Sequence, residues 1–208
     1  AYRVQIVKGH PDKAVEQRGK AFLHLGIGGG GQGGHGAAME TAFHYHHGGP
    51  ADTLALAEQA ALRGVPLKFE AAVAGGIPVV KGLREGAAAN RIERIYGILN
   101  GTCNYILSEM EHTGADFGEM LKAAQEKGYA EADPTFDIEG VDAAHKLAIL
   151  AAIGFGARVD FANVEATGIG EVRAADITQA GALGYVIRLV GIASLDESAD
   201  ETRLLQRV

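Results

Sequence analysis

Hydrophobic residues recur at helical spacing in the segment "ADTLALAEQAALRG", residues 51–64. Leu54, Ala57 and Ala61 stand at positions i, i+3 and i+7, which is the spacing of one helix face. Asp52 is a suitable N-cap and Gly64 is a suitable C-terminal stop. We therefore predict an amphipathic helix that ends at Gly64.

The remainder of the chain alternates between strand-like and helix-like patterns. One predicted helix begins at Thr102 and ends at Gly114, and Asp116 with Glu119 has the spacing of a capping box at the next helix. This alternation predicts an α/β (α+β) fold, a mixed sheet with helices on one face. The predicted elements are strands in Arg3–Val7, "VPLKFEAAVAG" (65–75) and "RIERIYGIL" (91–99), helices in "PVVKGLREGAAA" (78–89), "TCNYILSEMEHTG" (102–114), "DFGEMLKAAQEKG" (116–128) and "GVDAAHKLAILAAIGFG" (140–156), and a short helix followed by a strand in "DITQAGALGYVIRLVGIASL" (176–195).

Residues 20–50 have a different composition, with 10 of the chain's 30 glycines. Gly26, Gly28 and Gly31 have the G-x-G-x-x-G spacing of a turn that approaches a pyrophosphate. The acidic residue expected about 20 positions further on is absent from Thr41–Tyr45. The pattern therefore leaves two interpretations open, a dinucleotide-binding turn and a flexible loop.

The same segment carries a histidine cluster, His44–His47. His44 and His46 would share one face of a strand, and imidazole is a suitable ligand for zinc or nickel. No cysteine or carboxylate stands close enough to complete a closed tetrahedral set. A group of exposed histidines is the alternative to a metal site.

Charge and cysteine content limit the classes of partner. The net charge of −7 argues against a nucleic-acid surface, and there is no run of about 18 apolar residues that would span a bilayer. Cys103 is the single cysteine, which excludes an internal disulfide framework and is typical of a reducing compartment. We expect a cytoplasmic protein without a secretory signal, with small molecules or other chains as partners, and a buried, non-nucleophilic Cys103.

One short stretch, "AAQEKGYAEADPTFDIEGVDAAHK" (123–146), is rich in carboxylates. Asp142 and Lys146 are four residues apart, so they share one face of a helix that is otherwise mostly apolar. A partly buried ammonium can pass a proton, and the loop before it carries acceptors for an ammonium-bearing ligand. A solvated acidic loop with a weak surface ion pair is the alternative.

At this point the chain resembles homoserine dehydrogenases. Further stretches that carry the resemblance are "FEAAVAGGIP" (69–78), "IYGILNGTCNYIL" (95–107) and "ADITQAGALGYVIRLVGIA" (175–193). Several motifs in the correct order, over residues 54–193, make this resemblance strong. The signature residues in the acidic stretch are Ala123, Gly128, Tyr129, Ala130, Asp133, Pro134, Asp137, Ile138, Gly140, Asp142 and Lys146.

The resemblance implies an oxidoreductase that interconverts L-homoserine and L-aspartate 4-semialdehyde with NAD or NADP, on the route to threonine, methionine and isoleucine. Lys146 would be the acid/base, and Asp142 would orient it. Glu131 and Asp137 would bind the substrate, with Glu131 facing its ammonium group. The family also pairs its subunits through the sheet, which implies a homodimer.

The resemblance places cofactor and cation contacts as well. The turn Asn100, Gly101 and Thr102 would lie beside the nicotinamide, and Gly128 would contact cofactor or substrate. Oxygen ligands suit a monovalent cation such as sodium, and a Gly-Gly turn exposes carbonyl groups. The residues implied for this site are Glu70, Val73, Gly75 and Ile77.

The resemblance divides the chain into two regions. Residues 1–68 would be an abbreviated, partly Rossmann-like nucleotide-binding region, and residues 69–208 the catalytic and dimerisation domain. Two other functions stay open from the sequence. One is a non-catalytic homoserine-binding or subunit-pairing module, and the other is a metal-binding protein built on the histidine cluster.

Overall fold

The computed structural model describes the backbone of residues 6–8, and residues 59–60, 62–196 and 203–208. The chain divides into two compact units, one formed by residues 1–23 and 90–208 and the other by residues 24–89. The predicted boundary between residues 68 and 69 stays a prediction. Of the predicted helix at 51–64, the described residues Gln59, Ala60 and Leu62 are helical, and Gly64 follows with a φ of +63°.

The strand predicted for residues 65–75 is wrong. Residues 65–69 have no regular structure, and Glu70–Ala72 forms a single 3-10 turn. The chain turns back at Gly76, whose φ is +77°, and the Glu70 carboxylate accepts hydrogen bonds from the backbone N–H groups of Val80 at 2.6 Å and Lys81 at 3.0 Å. A carboxylate that reaches forward to a helix start needs a folded chain here, not an extended one. The predicted helix is present as helix α1, Val79–Lys81, continued by a π turn, Gly82–Gly86.

Three strands form an antiparallel sheet in the unit that contains residues 90–208. Strand β2 (Arg94–Gly97) pairs with β4 (Gly191–Asp196), and β4 pairs with β5 (Arg203–Arg207). A parallel bridge between Glu165 and Arg207 adds a fourth segment beside β5, so the sheet is mixed as predicted. Strand β1 (Ile6–Lys8) pairs separately with β3 (Tyr185–Ile187). This N-terminal strand ends at Lys8, one residue after the predicted end at Val7.

The single strand predicted at the end of residues 176–195 is two strands. Strand β3 ends at Ile187 and β4 begins at Gly191, in different sheets. Between them Leu189 and Val190 are both buried, although consecutive side chains of one strand point to opposite faces. The run of apolar residues therefore reflects a buried connection and not a continuous strand.

Helices cover one face of this sheet. Helix α5 (Val141–Phe155) packs on β4, where a Cβ atom at Gly191 would lie 3.4 Å from the Leu147 side chain. On the opposite face of the sheet the Tyr96 side chain is 73% exposed. The other helices are α2 (Gly101–Thr113), α3 (Phe117–Glu126), α4 (Thr135–Ile138) and α6 (Ala174–Ala182).

The ends of helix α2 show which sequence signals act as caps. Its N-cap is Asn100 and not the predicted Thr102, because the Asn100 side-chain oxygen accepts a hydrogen bond from the Cys103 N–H at 2.8 Å. Gly114 ends the helix as predicted, with a φ of +73°. Asp116 occupies the N-cap position of α3, but its side chain makes no capping bond, so the predicted capping box is not formed.

Candidate active site

Helix α5 brings Asp142 and Lys146 together. The Lys146 Nζ donates a hydrogen bond to Asp142 Oδ2 at 2.7 Å and a second to the Leu99 carbonyl at 3.2 Å. The Lys146 and Asp142 side chains are only 22% and 12% exposed. The pair thus lies partly below the protein surface, where an ion pair is stronger than between two solvated side chains.

Asn100 connects this pair to the predicted substrate-binding loop. Its Nδ2 group donates to Asp137 Oδ1 at 2.7 Å and to Asp142 Oδ2 at 2.9 Å. Four predicted site residues, Asn100, Asp137, Asp142 and Lys146, therefore form one hydrogen-bonded array although they are spread over 47 positions. Two carboxylates and one ammonium give the array a net negative charge, which favours a cationic ligand group.

Side-chain hydrogen bonds hold the backbone of the loop from Gly128 to Asp137. Gly128 begins it with a φ of +74°, and the Thr102 hydroxyl donates to the Tyr129 carbonyl at 2.7 Å. The Gln125 side chain donates to the Glu131 carbonyl at 3.0 Å. The Glu131 side chain itself is exposed, and it makes no hydrogen bond to the residues that the structure describes.

The alternative of a fully solvated acidic loop is therefore wrong for part of the stretch. Asp142 is buried, and Asp137 is tied to the buried Asn100, whereas Glu131, Asp133 and Glu139 are exposed. Asp133 is turned toward the start of α4, where hydrogen bonds from the Thr135 hydroxyl and N–H lower the pKa of its carboxyl.

Some contacts of the candidate site have no signal in the sequence. The Leu99 carbonyl accepts from Lys146 through the backbone, so its residue type carries no information about this role. The Gln125 contact to the loop also has no side-chain pattern that marks it. The Asn100 role has a partial signal, because asparagine before a helical pattern indicates an N-cap, but its bonds to two distant carboxylates depend on the fold.

Cys103 bonds two members of this array, Asn100 and Asp137, and it is buried, as predicted. Its Sγ–H donates to the Asp137 carbonyl at 3.1 Å. Burial, with additional effects from the Asp137 and Asp142 charges, raises the pKa of the Cys103 thiol to about 12. A thiol with such a pKa is not a nucleophile near neutral pH.

We expect Cys103 to make stability fall at alkaline pH. The folded-state pKa of about 12 exceeds the ordinary value of 9.0, so the unfolded chain releases the proton first and the contribution of this thiol to stability is lost as pH rises from 9 toward 12. Urea unfolding at pH 8 and pH 10.5 checks this, with Cys103→Ala as the control. An equal alkaline decrease in both proteins would contradict the assignment.

The predicted cation ligands lie in the unit of residues 24–89. Both Glu70 carboxylate oxygens accept hydrogen bonds from the start of helix α1, and each keeps a further lone pair for a ligand. The Ile77 carbonyl accepts a hydrogen bond from the Val79 N–H at 2.8 Å. With the carbonyl groups of the buried Val73 and the exposed Gly75, the donor set would be all oxygen, which suits a hard cation. Among the described residues there is no cluster of three or more His, Cys, Asp or Glu that could hold a metal ion.

Two predicted features lie outside the described residues. They are the glycines Gly26, Gly28 and Gly31, and the histidine cluster His44–His47. Both stay predictions. None of the helices in the described part of the chain is long and apolar enough to cross a membrane.

Comparisons with known proteins agree with the resemblance. Residues 78–207 match the family model of homoserine dehydrogenase. The homoserine dehydrogenase of Pseudomonas aeruginosa is 55% identical over 142 residues, which are 68% of this chain and 33% of that protein. The homoserine dehydrogenase of Synechocystis sp. is 53% identical over 151 residues, which are 73% of this chain and 35% of that protein. The crystal structure of a homoserine dehydrogenase from Thiobacillus denitrificans matches with a TM-score of 0.71 and 52% identity, over 76% of this chain and 36% of that one. The chain spans about a third of the length of these relatives, and it belongs to the homoserine dehydrogenase family.

Proposed function

We propose that the chain forms the substrate-binding and proton-transferring part of an NAD(P)-dependent homoserine dehydrogenase. The reaction interconverts L-homoserine and L-aspartate 4-semialdehyde by hydride transfer, on the route to threonine, methionine and isoleucine. The observation that supports this proposal is the array in which Asn100 joins Asp137 to the Asp142–Lys146 pair. Residues 69–208 would supply this half, and residues 1–68 the nucleotide-binding region.

Lys146 is the group that moves the proton. Two of its three N–H groups have protein acceptors, the Asp142 carboxylate and the Leu99 carbonyl, which leaves one for the substrate oxygen. In the direction of alcohol oxidation the neutral amine accepts the hydroxyl proton, and in the reverse direction the ammonium returns it. Asp142 fixes the orientation of the amine by accepting its hydrogen bond.

The amino-acid part of the substrate is bound by the loop carboxylates. L-Homoserine carries an ammonium group, and the net negative charge of the array attracts such a group. Asp137 keeps Oδ2 available after it accepts the Asn100 amide on Oδ1. Glu131, exposed on a loop whose backbone is held by Gln125, would contact the substrate ammonium.

The nicotinamide cofactor, NAD or NADP, supplies the acceptor or donor of the hydride when it is bound. Helix α2 begins beside Lys146, and the first N–H groups of a helix have no acceptor within it. The N–H groups of Gly101 and Thr102 suit a carboxamide oxygen, and Gly128 permits close approach because it has no side chain. Asn100 belongs to the same turn, and Gly26, Gly28 and Gly31 would contact the pyrophosphate.

Three further assignments complete the proposal. Sodium would be held by the oxygen atoms of Glu70, Val73, Gly75 and Ile77. A homodimer would form through the open face of the sheet, where Tyr96 and Leu205 are exposed. The protein would work in the cytoplasm.

Calorimetry and a rate assay on this chain test the proposal. We expect heat from L-homoserine and from NADPH, each titrated alone, and L-homoserine-dependent reduction of NAD or NADP. L-Homoserine binding without NADPH binding would favour a non-catalytic binding module. Absence of L-homoserine binding would contradict the proposed substrate.

A further inference from the structure

Both N–H donors of the Asn100 side chain are used by the protein. Asn100 is 3% exposed, and an asparagine side chain has one oxygen acceptor and two N–H donors. The oxygen accepts from the Cys103 N–H at 2.8 Å, and the two donor bonds go to Asp137 at 2.7 Å and Asp142 at 2.9 Å. The side chain could donate to a further ligand only by giving up its bond to Asp137 or to Asp142.

The chemistry of these partners fixes which way the amide faces. A flipped amide would set its oxygen against two carboxylate oxygens and its NH₂ group against the Cys103 N–H, so all three bonds would become repulsive. Asparagine is therefore suited to this position because it combines an acceptor for the helix start with donors for the two acids. Aspartate could supply only acceptors, and serine has a single O–H donor, so neither could donate to both acids while it caps the helix.

We propose that Asn100 is a positioning residue that fixes Asp137 and Asp142 for their separate roles. One amide proton orients the carboxylate that faces the substrate, and the other orients the carboxylate that holds Lys146. Because the same side chain caps helix α2, the start of this helix and both acids are held at fixed positions relative to one another. The roles of the two acids rest on the proposed function, whereas the hydrogen-bonded array does not.

Aspartate separates positioning from capping. Aspartate caps a helix as well as asparagine does, so a change in the urea midpoint of Asn100→Asp reports the lost donors and not a lost cap. A positioning role predicts a clearly lower midpoint, because a third carboxylate then faces two others. The double variant Asn100→Asp with Asp137→Asn exchanges the amide and the carboxylate. We expect it to recover at least half of the decrease in the urea midpoint that Asn100→Asp causes.

Asn163→Asp is the matched control for these variants. Asn163 donates its Nδ2 to Asp160 at 2.6 Å in an exposed position, so the same substitution adds the same charge beside an aspartate. We expect its urea midpoint to change little, since exposed charges are screened by solvent. Equal midpoints of Asn100→Asp and Asn163→Asp, or no recovery in the double variant, would overturn the proposal.

A neutral variant tests the consequence for the ligand. Asn100→Ser keeps a capping oxygen but has one O–H donor on a shorter side chain in place of two N–H donors, so it cannot bond both acids. We expect L-homoserine to bind about tenfold more weakly, as for one lost hydrogen bond to a charged group. Binding equal to that of the wild type would overturn the role in substrate orientation. If the wild type binds no L-homoserine, the proposed function fails, and the urea midpoints alone decide the role of Asn100.

Discussion

Lys146→Ala is expected to lower the rate of L-homoserine-dependent reduction of NAD or NADP by about a thousandfold or more. The substitution removes the group that we propose accepts the alcohol proton, and no other cation bonds Asp142 in the described part of the chain. The fold should persist, because Asp142 keeps its bond from Asn100 at 2.9 Å. The rate at saturating substrate and the urea midpoint are measured for the same protein preparations.

Lys122→Ala is the matched control for this experiment. Lys122 also pairs with an acid four residues away on a helix, Glu126, at 4.0 Å. In this pair, however, the Lys122 and Glu126 side chains are 77% and 69% exposed. An exposed pair of this kind contributes a few tenths of a kcal/mol at most, so neither rate nor stability should change. Equal rates of Lys146→Ala and the wild type would end the assignment of Lys146.

The sequence predicted the parts of this site that depend on local spacing. Asp142 and Lys146 share a helix face because they are four residues apart, and the apolar residues around them indicated that this face is partly buried. The Gly114 stop follows equally from local backbone chemistry, since glycine adopts a positive φ without strain. The structure confirms both features.

Features that depend on distant segments could not be predicted in the same way. Asn100 and Asp142 are 42 positions apart, and no spacing rule connects them. The strand predicted at residues 65–75 failed because β-branched and apolar residues also suit a folded turn when a side chain such as Glu70 bonds the backbone ahead of it. The split between β3 and β4 has a similar origin, since a buried connection is as apolar as a strand.

Gly168→Ala is expected to destabilise the unit of residues 90–208 by about 1–3 kcal/mol. A Cβ atom at this position would lie 2.4 Å from the Ile138 carbonyl oxygen and 2.7 Å from the Glu139 Cα. Both are backbone atoms, so the clash is not relieved by rotating a side chain. The next residue, Ile169, donates its N–H to the same Ile138 carbonyl at 2.7 Å, which holds the two segments at this short separation.

Gly170→Ala is the control for this effect, because a Cβ atom there would meet no atom within 4 Å and its φ is not positive. We expect Gly170→Ala to be neutral or stabilising by up to about 1 kcal/mol, since alanine restricts the unfolded chain. Urea unfolding of both variants measures the difference.

Because Ile138 and Glu139 lie between Asp137 and Asp142, the shift forced by Gly168→Ala should also displace the two acids and weaken L-homoserine binding. Equal urea midpoints for the two variants would show that the backbone at residues 138–139 can move away, and the array would then be less rigid than its hydrogen bonds indicate.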